Sequence, residues 1–246
     1  MTERKLDRVY QLDWRSLDYP VTQHPRMATA AKLPRSYTWS CNAWLDQGQE
    51  GACVGVGFTH DLVAKPRVVT GVDMVFARER VYWEAQKIDP WDGGAYPGAA
   101  PFYEGTAVLA GAKVLTSMGF YSGYTWGLTL EQMAVGVGYT GPAVIGVDWF
   151  EGMFDTDASG FIRPTGAAVG GHCLLTNGVR IVWKSGSART SFADVDRAKS
   201  WFLLRNSWSR AWGVDGSAKI SFEDMDLLLH REGDVCFPVR TAKVTV

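Results

Sequence analysis

"DQGQEGACVGVGFTH", residues 46–60, brings the chain through Gly48 and Gly51 to a thiol at Cys53, then enters an apolar run that holds two more glycines, Gly55 and Gly57. Turn-forming residues before this point and apolar ones after it place a helix start near Ala52, and Pro66 should stop the helix by clashing with the preceding turn. Gly55 and Gly57 each weaken a helix interior by roughly 1 kcal/mol against alanine. Such a helix is tolerable if it is central and its glycines let other backbone come close. Cys53 then has two readings: a small buried hydrophobe, or a nucleophile with open space before it and a helix N-terminus to favour its thiolate.

The rest of the chain narrows the choice. With 246 residues it is long enough to bury a core without metal or disulfide staples. Lys+Arg 25 against Asp+Glu 26 leave a formal charge of −1, and no dense basic run occurs, so neither nucleic acid nor an anionic membrane is an expected partner. No apolar run approaches the ~18 residues of a membrane span. The charged start "MTERKLDRVYQLDW" lacks the apolar segment of a signal peptide. A cytoplasmic protein is expected, or a virion-associated one if phage-encoded. Cys41, Cys53, Cys173 and Cys236 show no CxxC spacing, so they read as reduced thiols with no metal site.

Residues 1–36 mix charge, proline and short apolar pieces and read as an N-terminal arm lying on the main body. From about 37 to 130 the texture is helical: "VFARERVYWEAQKID" (75–89) and "EGTAVLAGAKVLTSMGF" (104–120) carry helical spacing, the second stopping at Gly119. Between them "DPWDGGAYPGAAPFYEG" (89–105) is a loop by composition. From about 131 to 246, "PAVIGVDWF", "GHCLLTNGVRIVW", "SWFLLRNSW" and "SAKISF" are short β-prone runs divided by turn residues. An α+β single domain is expected, with a helical lobe, an antiparallel barrel-like lobe and a cleft between them.

The chemistry-bearing residues fall in an order. "VGGHCLLTNGV" supplies His172, and Asn206 follows 34 residues later in "LLRNSWSRAWGVDG". A thiol at a helix start, an imidazole to pair with it and an amide to hold the ring form a coherent nucleophilic set: Cys53, His172, Asn206.

Together, "DQG…GAC", "GGHC" and "RNSWSRAWGVDG" resemble the three motif blocks of the papain-like cysteine peptidases, with a layout closest to bacterial or phage-borne members. The likeness extends to "GPAVIGVDWFEGMFDTDASGFIRP" ahead of the histidine. It implies a two-lobed papain-like fold and hydrolysis of peptide or protein substrates through an acyl-enzyme, with no cofactor. By the same resemblance Cys53 is the nucleophile, His172 the general base and acid, and Asn206 the residue that orients it. Gln47, six positions before the cysteine, contributes to the oxyanion hole, and Trp208 shields the His–Asn hydrogen bond and is grouped with the substrate-binding residues. Gly105, Gly146, Gly171 and Cys173 fall near positions lining the subsites. Cys173, as a strand neighbour of His172, points either to the opposite face or toward that pocket.

Departures from the family pattern are Glu50 in place of a structural cysteine, Val54 in place of an aromatic, and Ser209 in place of a glycine. The segment "RIVWKSGSARTSFADVDRAKSW" between His172 and Asn206 is longer than in the plant enzymes. A long helical pro-region does not fit ahead of Gln47, so the arm either covers the cleft or braces the lobes, with bracing the favoured expectation. His60, two turns below Cys53, reads as a core histidine. The alternatives are a catalytically silent binding or structural protein on the same fold, such as a virion component, and a different cysteine acyl-transfer enzyme. The second lacks the glutamine and the Asn-Ser-Trp block. Oligomeric state is not expressed in the sequence.

Overall fold

The structure, a computed structural model, describes residues 4–11, 13–27 and 33–241. Residues 1–3, 12 and 28–32 of the expected arm and 242–246 of the expected β lobe lie outside the described residues. After two short 3-10 turns at Trp14–Asp18 and Val21–Gln23, the two-residue strand β1 (Tyr37–Thr38) leads to helix α1 (Cys53–Val63). α1 is buried from Cys53 through Leu62, which is why it carries apolar or small residues on every side. Its glycines are explained by close approach. A Cβ on Gly57 would stand 2.9 Å from Cys173 Sγ, and one on Gly55 would collide with the Ala77 carbonyl. The helix ends ahead of Pro66, as expected from the sequence.

Next come α2 (Trp83–Gln86), entered through a π-helical stretch at Phe76–Tyr82, and α3 (Val108–Ser117). The chain leaves α3 through Gly119 at φ +80°, the left-handed conformation that glycine adopts without strain. There follow β2 (Tyr121–Trp126), α4 (Leu130–Tyr139), β3 (Ala143–Phe150), β4 (Ala168–Arg180), β5 (Trp201–Arg205), β6 (Ser217–Ser221), α5 (Phe222–Leu229) and β7 (Asp234–Arg240). β2 and α4 have no counterpart in the sequence expectation.

The strands form one antiparallel sheet in the order β2-β7-β3-β4-β5-β6, with β1 added to β4. The α+β class is as expected, and the barrel-like description is corrected. The path ends on β2 and β6, which do not pair with each other among the described residues, so the sheet stays open. Two bulges in β4, at Val169 opposite Trp149 and Phe150 of β3 and at Asn177 opposite Leu203 and Leu204 of β5, bend it without closing it.

Strand alternation splits the core in two. Val144, Cys173 and Leu175 face α1 and α3, joining Phe58, Leu62 and Leu115. Ile145, Val147, Trp149 and Leu174 face the other side, with Phe202, Trp208 and Met225. Because successive residues of a strand take opposite faces, Cys173 is sent toward α1 and His172 toward the tryptophans.

Candidate active site

Cys53 opens α1, with Ala52 at the cap position, so its thiol sits where the first unpaired helical N–H groups converge. The backbone amides of Cys173 and Asp7 also face the sulfur. Since Cys173 follows His172 in β4, the thiol lies against the strand that carries the histidine. Even so, burial pushes the Cys53 thiol up to about 12, because those amides do not offset the lost hydration. In this arrangement the sulfur is a neutral thiol at pH 7.

His172 Nε2 and Asn206 Oδ1 are 2.7 Å apart. An amide oxygen accepts, so the ring proton resides on Nε2 and Nδ1 keeps a lone pair. Nδ1 is buried with no hydrogen-bond partner. Burial lowers the imidazole to about 4 while the bond to Asn206 works in the opposite direction, which leaves a neutral ring able to take a proton at pH 7. Asn206 follows β5 directly; its Oδ1 also accepts from Ser207 N–H at 2.7 Å.

Aromatic rings wall this pair off. Trp208, fully buried, stacks on His172 at 4.8 Å and 28°, and Trp149 meets the same ring edge-on at 4.9 Å. Trp208 is in turn covered by Phe154 and by the Arg4 guanidinium. Its expected contact with substrate is therefore closed off while Arg4 lies there.

Gln47 is held by reciprocal bonds to Ser207: its backbone N–H donates to the Ser207 carbonyl at 2.9 Å, and its side-chain oxygen accepts from the Ser207 hydroxyl. That leaves the Nε2 group, which donates to the Glu50 carbonyl at 2.8 Å and to Lys5 O at 3.4 Å. Ser207 and Trp149 were not singled out from the sequence. Ser207 lies inside the quoted Asn-Ser-Trp block, and Trp149 shares the period-2 face of Ile145 and Val147, so a signal existed for both.

The largest departure from expectation concerns the arm. Its segment 4–9 runs along the cleft, pairing with both sides: Arg8 N–H donates to Gly171 O at 2.9 Å and Val9 N–H to Thr106 O at 3.0 Å. The expected choice between bracing and covering is thus corrected, because one segment does both. Each glycine placed near a subsite touches it. A Cβ on Gly105 would strike the Asp7 carbonyl, one on Gly171 the Arg8 carbonyl, and one on Gly146 the Arg8 side chain. Gly51 and Gly170 belong to the same wall, with Asp7 Cβ and Leu6 Cβ at 2.6 and 3.0 Å from such added atoms. Of the two directions expected for Cys173, the pleat gives the face it shares with its cross-strand partner Gly146, opposite to that of His172, where its buried sulfur packs on Gly57 of α1 with Arg8 nearby.

Apart from Cys53, His172 and Asn206, His60 is buried near the end of α1, where Nε2 accepts from Leu45 N–H at 3.3 Å, and desolvation lowers it to about 3. All four cysteines are free and buried. Among the described residues no group of three or more His, Cys, Asp or Glu side chains is placed to hold a metal ion, and no helix is long and apolar enough to cross a membrane.

A helix opening on a cysteine, packed against an antiparallel sheet that carries the histidine, is the papain-like arrangement, and solved structures of that fold resemble this chain over most of its length. Xylellain, a cysteine protease from Xylella fastidiosa, superposes with a TM-score of 0.64 at 15% identity, covering 98% of this chain and 99% of its own. Procathepsin B S9 from Trypanosoma congolense gives 0.57 at 14% identity, covering 97% and 84%. The bromelain protease from Ananas comosus, solved with the E64 inhibitor, gives 0.51 at 14%, covering 85% and 100%. No protein-family model matches the chain, and no curated protein matches it in sequence. The comparisons therefore establish a shared fold.

Proposed function

We propose that the protein is a cysteine peptidase of the papain-like kind, with a layout like that of the bacterial xylellain, which it matches from end to end. The observation that carries the reading is the His172–Asn206 pair at 2.7 Å, with its free Nδ1 on the strand against which the Cys53 thiol packs.

In the proposed reaction His172 Nδ1 takes the thiol proton and the sulfur attacks the peptide carbonyl carbon. The oxyanion is received by Gln47 Nε2–H and the Cys53 backbone N–H, two donors that together lower the barrier by several kcal/mol. The C–N bond breaks as the imidazolium gives its proton to the leaving amine. Water then loses a proton to the same ring, attacks the thioester, and releases the acid and the sulfur. No step requires a metal or organic cofactor. In the state described the arm shuts this sequence down: it lies where a peptide would lie, and Lys5 O takes up the Gln47 amide.

Cleavage of a fluorogenic peptide library tests the reading. Wild-type chain, or chain with a weakened arm such as Arg8→Ala, is expected to turn over peptides, and the matching Cys53→Ala chain is not. Equal turnover with and without the Cys53 sulfur overturns it. The filled cleft favours a second reading, a catalytically silent binding or structural protein whose arm never leaves. An epoxysuccinyl thiol inhibitor separates the two: adduct at Cys53 in the Arg8→Ala chain supports the peptidase, and an inert thiol supports the silent protein.

A further inference from the structure

The loop 89–105 contains no helix, no strand and no cysteine to staple it, yet its end, at Gly105 and on to Thr106, lies directly against the arm in the cleft. A buried side chain behind that wall holds it in place. Gln86, the last residue of α2, is 1% exposed. Its Oε1 accepts from Ala95 N–H at 2.8 Å, while its Nε2 donates to the Gly105 carbonyl at 2.9 Å and to the Tyr103 carbonyl and the Tyr82 hydroxyl, both at 3.2 Å. The amide takes only this orientation, since a flipped one would set its NH2 against the Ala95 N–H and its oxygen against two carbonyls.

Tyr82 completes the hold. Its hydroxyl accepts from Gly105 N–H at 2.9 Å, so both backbone groups of Gly105 are engaged on the interior side. Asp89, three residues past Gln86, fixes the next position: Oδ2 accepts from the Thr106 hydroxyl at 2.7 Å, and Oδ1 from the Tyr103 hydroxyl at 2.8 Å. The Thr106 carbonyl is thereby turned toward the cleft, where it takes the Val9 N–H at 3.0 Å. A loop rich in glycine and proline and without a covalent tie has many conformations open to it. Leaving these buried donors and acceptors unpaired costs more than the bonds contribute when made, so the amide of Gln86 selects one conformation from the rest.

We propose that Gln86 and Tyr82 are positioning residues: acting from behind the wall, they aim the Thr106 carbonyl into the cleft, and so govern how firmly an extended segment is held there and not how fast its bond is broken. The arm is the segment held in this structure. That a substrate is held by the same wall rests on the peptidase reading; the hold on the arm does not.

The hold on the arm is tested in the full chain by the rate at which iodoacetamide labels Cys53, which the arm covers. Arg8 still anchors the arm, its Nη2 reaching Asp234 Oδ2 at 2.8 Å, so the expected change is moderate. Tyr82→Phe and Gln86→Met remove the hydrogen bonds at nearly constant volume. Each is expected to speed Cys53 labelling ~5-fold, the size that one or two lost hydrogen bonds give, while Cys41 and Cys236 keep their wild-type rates. A wild-type rate at Cys53 in both variants overturns the proposal, and so does a parallel rise at all three cysteines, which marks general loosening. Where Gln86→Met does not fold, the milder Tyr82→Phe decides. For substrates, the same changes made on the Arg8→Ala chain are expected to raise KM for a fluorogenic peptide ~5-fold with kcat held within about 2-fold. A fall in kcat at unchanged KM, or no change in either, overturns the substrate clause. Absence of cleavage by every chain, with the labelling pattern as expected, removes the peptidase reading and leaves the hold on the arm standing.

Discussion

Cys53 illustrates how one side chain reads differently in sequence and in space. Its neighbours in the chain, a helix start and small residues, favour the thiolate, yet with the arm above it burial raises the thiol to about 12. The sign of the linkage follows. A thiol raised in the docked state holds its proton more tightly there, so docking is strongest below the undocked value and weakens as pH rises toward 12. Iodoacetamide labelling of Cys53 in the native chain is accordingly expected to be slow at pH 8 and still climbing above pH 10, while in Arg8→Ala it levels off at lower pH; identical profiles would show that the arm does not control the thiol. Asn206 acts through the ring it orients. Asn206→Ala is expected to lower kcat by about 10² with the active-limb pH dependence displaced, measured on the Arg8→Ala chain. The Cys53, His172, Asn206 and Gln47 set was legible because each stands inside a distinctive local motif. Asp234 was not, since a lone acid at the start of a strand carries no local signal of the arginine it meets.

Among the elements, α1 shows what its glycines are for. Gly55→Ala drives a Cβ into the Ala77 backbone carbonyl, which cannot swing aside, whereas Gly57→Ala meets the Cys173 sulfur at 2.9 Å. The first substitution is expected to destabilise by about 1–3 kcal/mol and the second by less, since a side chain yields more readily than backbone. Chemical denaturation of the two chains checks the order, and equal losses would contradict it. The arm is the opposite case, an element of little regular structure held by others. Its segment "RKLDRV" has no periodicity to announce an extended strand. Its conformation comes from hydrogen bonds to Gly171 and Thr106. Helices α1, α2 and α3 and strands β3 to β6 were legible from period and punctuation, while α4, edge strand β2, which pairs only with β7 on the sheet path, and β7, which joins β2 to β3, were not.

At the scale of the whole molecule, the end of α1 is tied to the sheet by a buried ion pair. Arg240 of β7 reaches Asp61 at 2.6 Å and donates to the Ala64 carbonyl at 2.8 Å, while Tyr121 of β2 donates to Asp61 at 2.9 Å. Arg240→Met leaves a carboxylate buried without its counter-charge and is expected to lower stability by about 3–5 kcal/mol. The double change with Asp61→Asn should recover part of that loss. Calorimetric unfolding of both chains decides it, and additive losses would argue against coupling.

By itself the sequence determined the class of the fold, the helix that opens on Cys53, the order of thiol, imidazole and amide, and the need for glycine around them. Those are properties of spacing and residue type, readable over a few turns or strand residues. Tertiary structure decided that the sheet stays open, that Cys173 turns into the core, that the arm lies in the cleft, and that Arg8 meets Asp234. Each of these depends on groups up to 226 positions apart along the chain, and the forces that join them, burial and charge pairing, act through space and leave no period in the sequence.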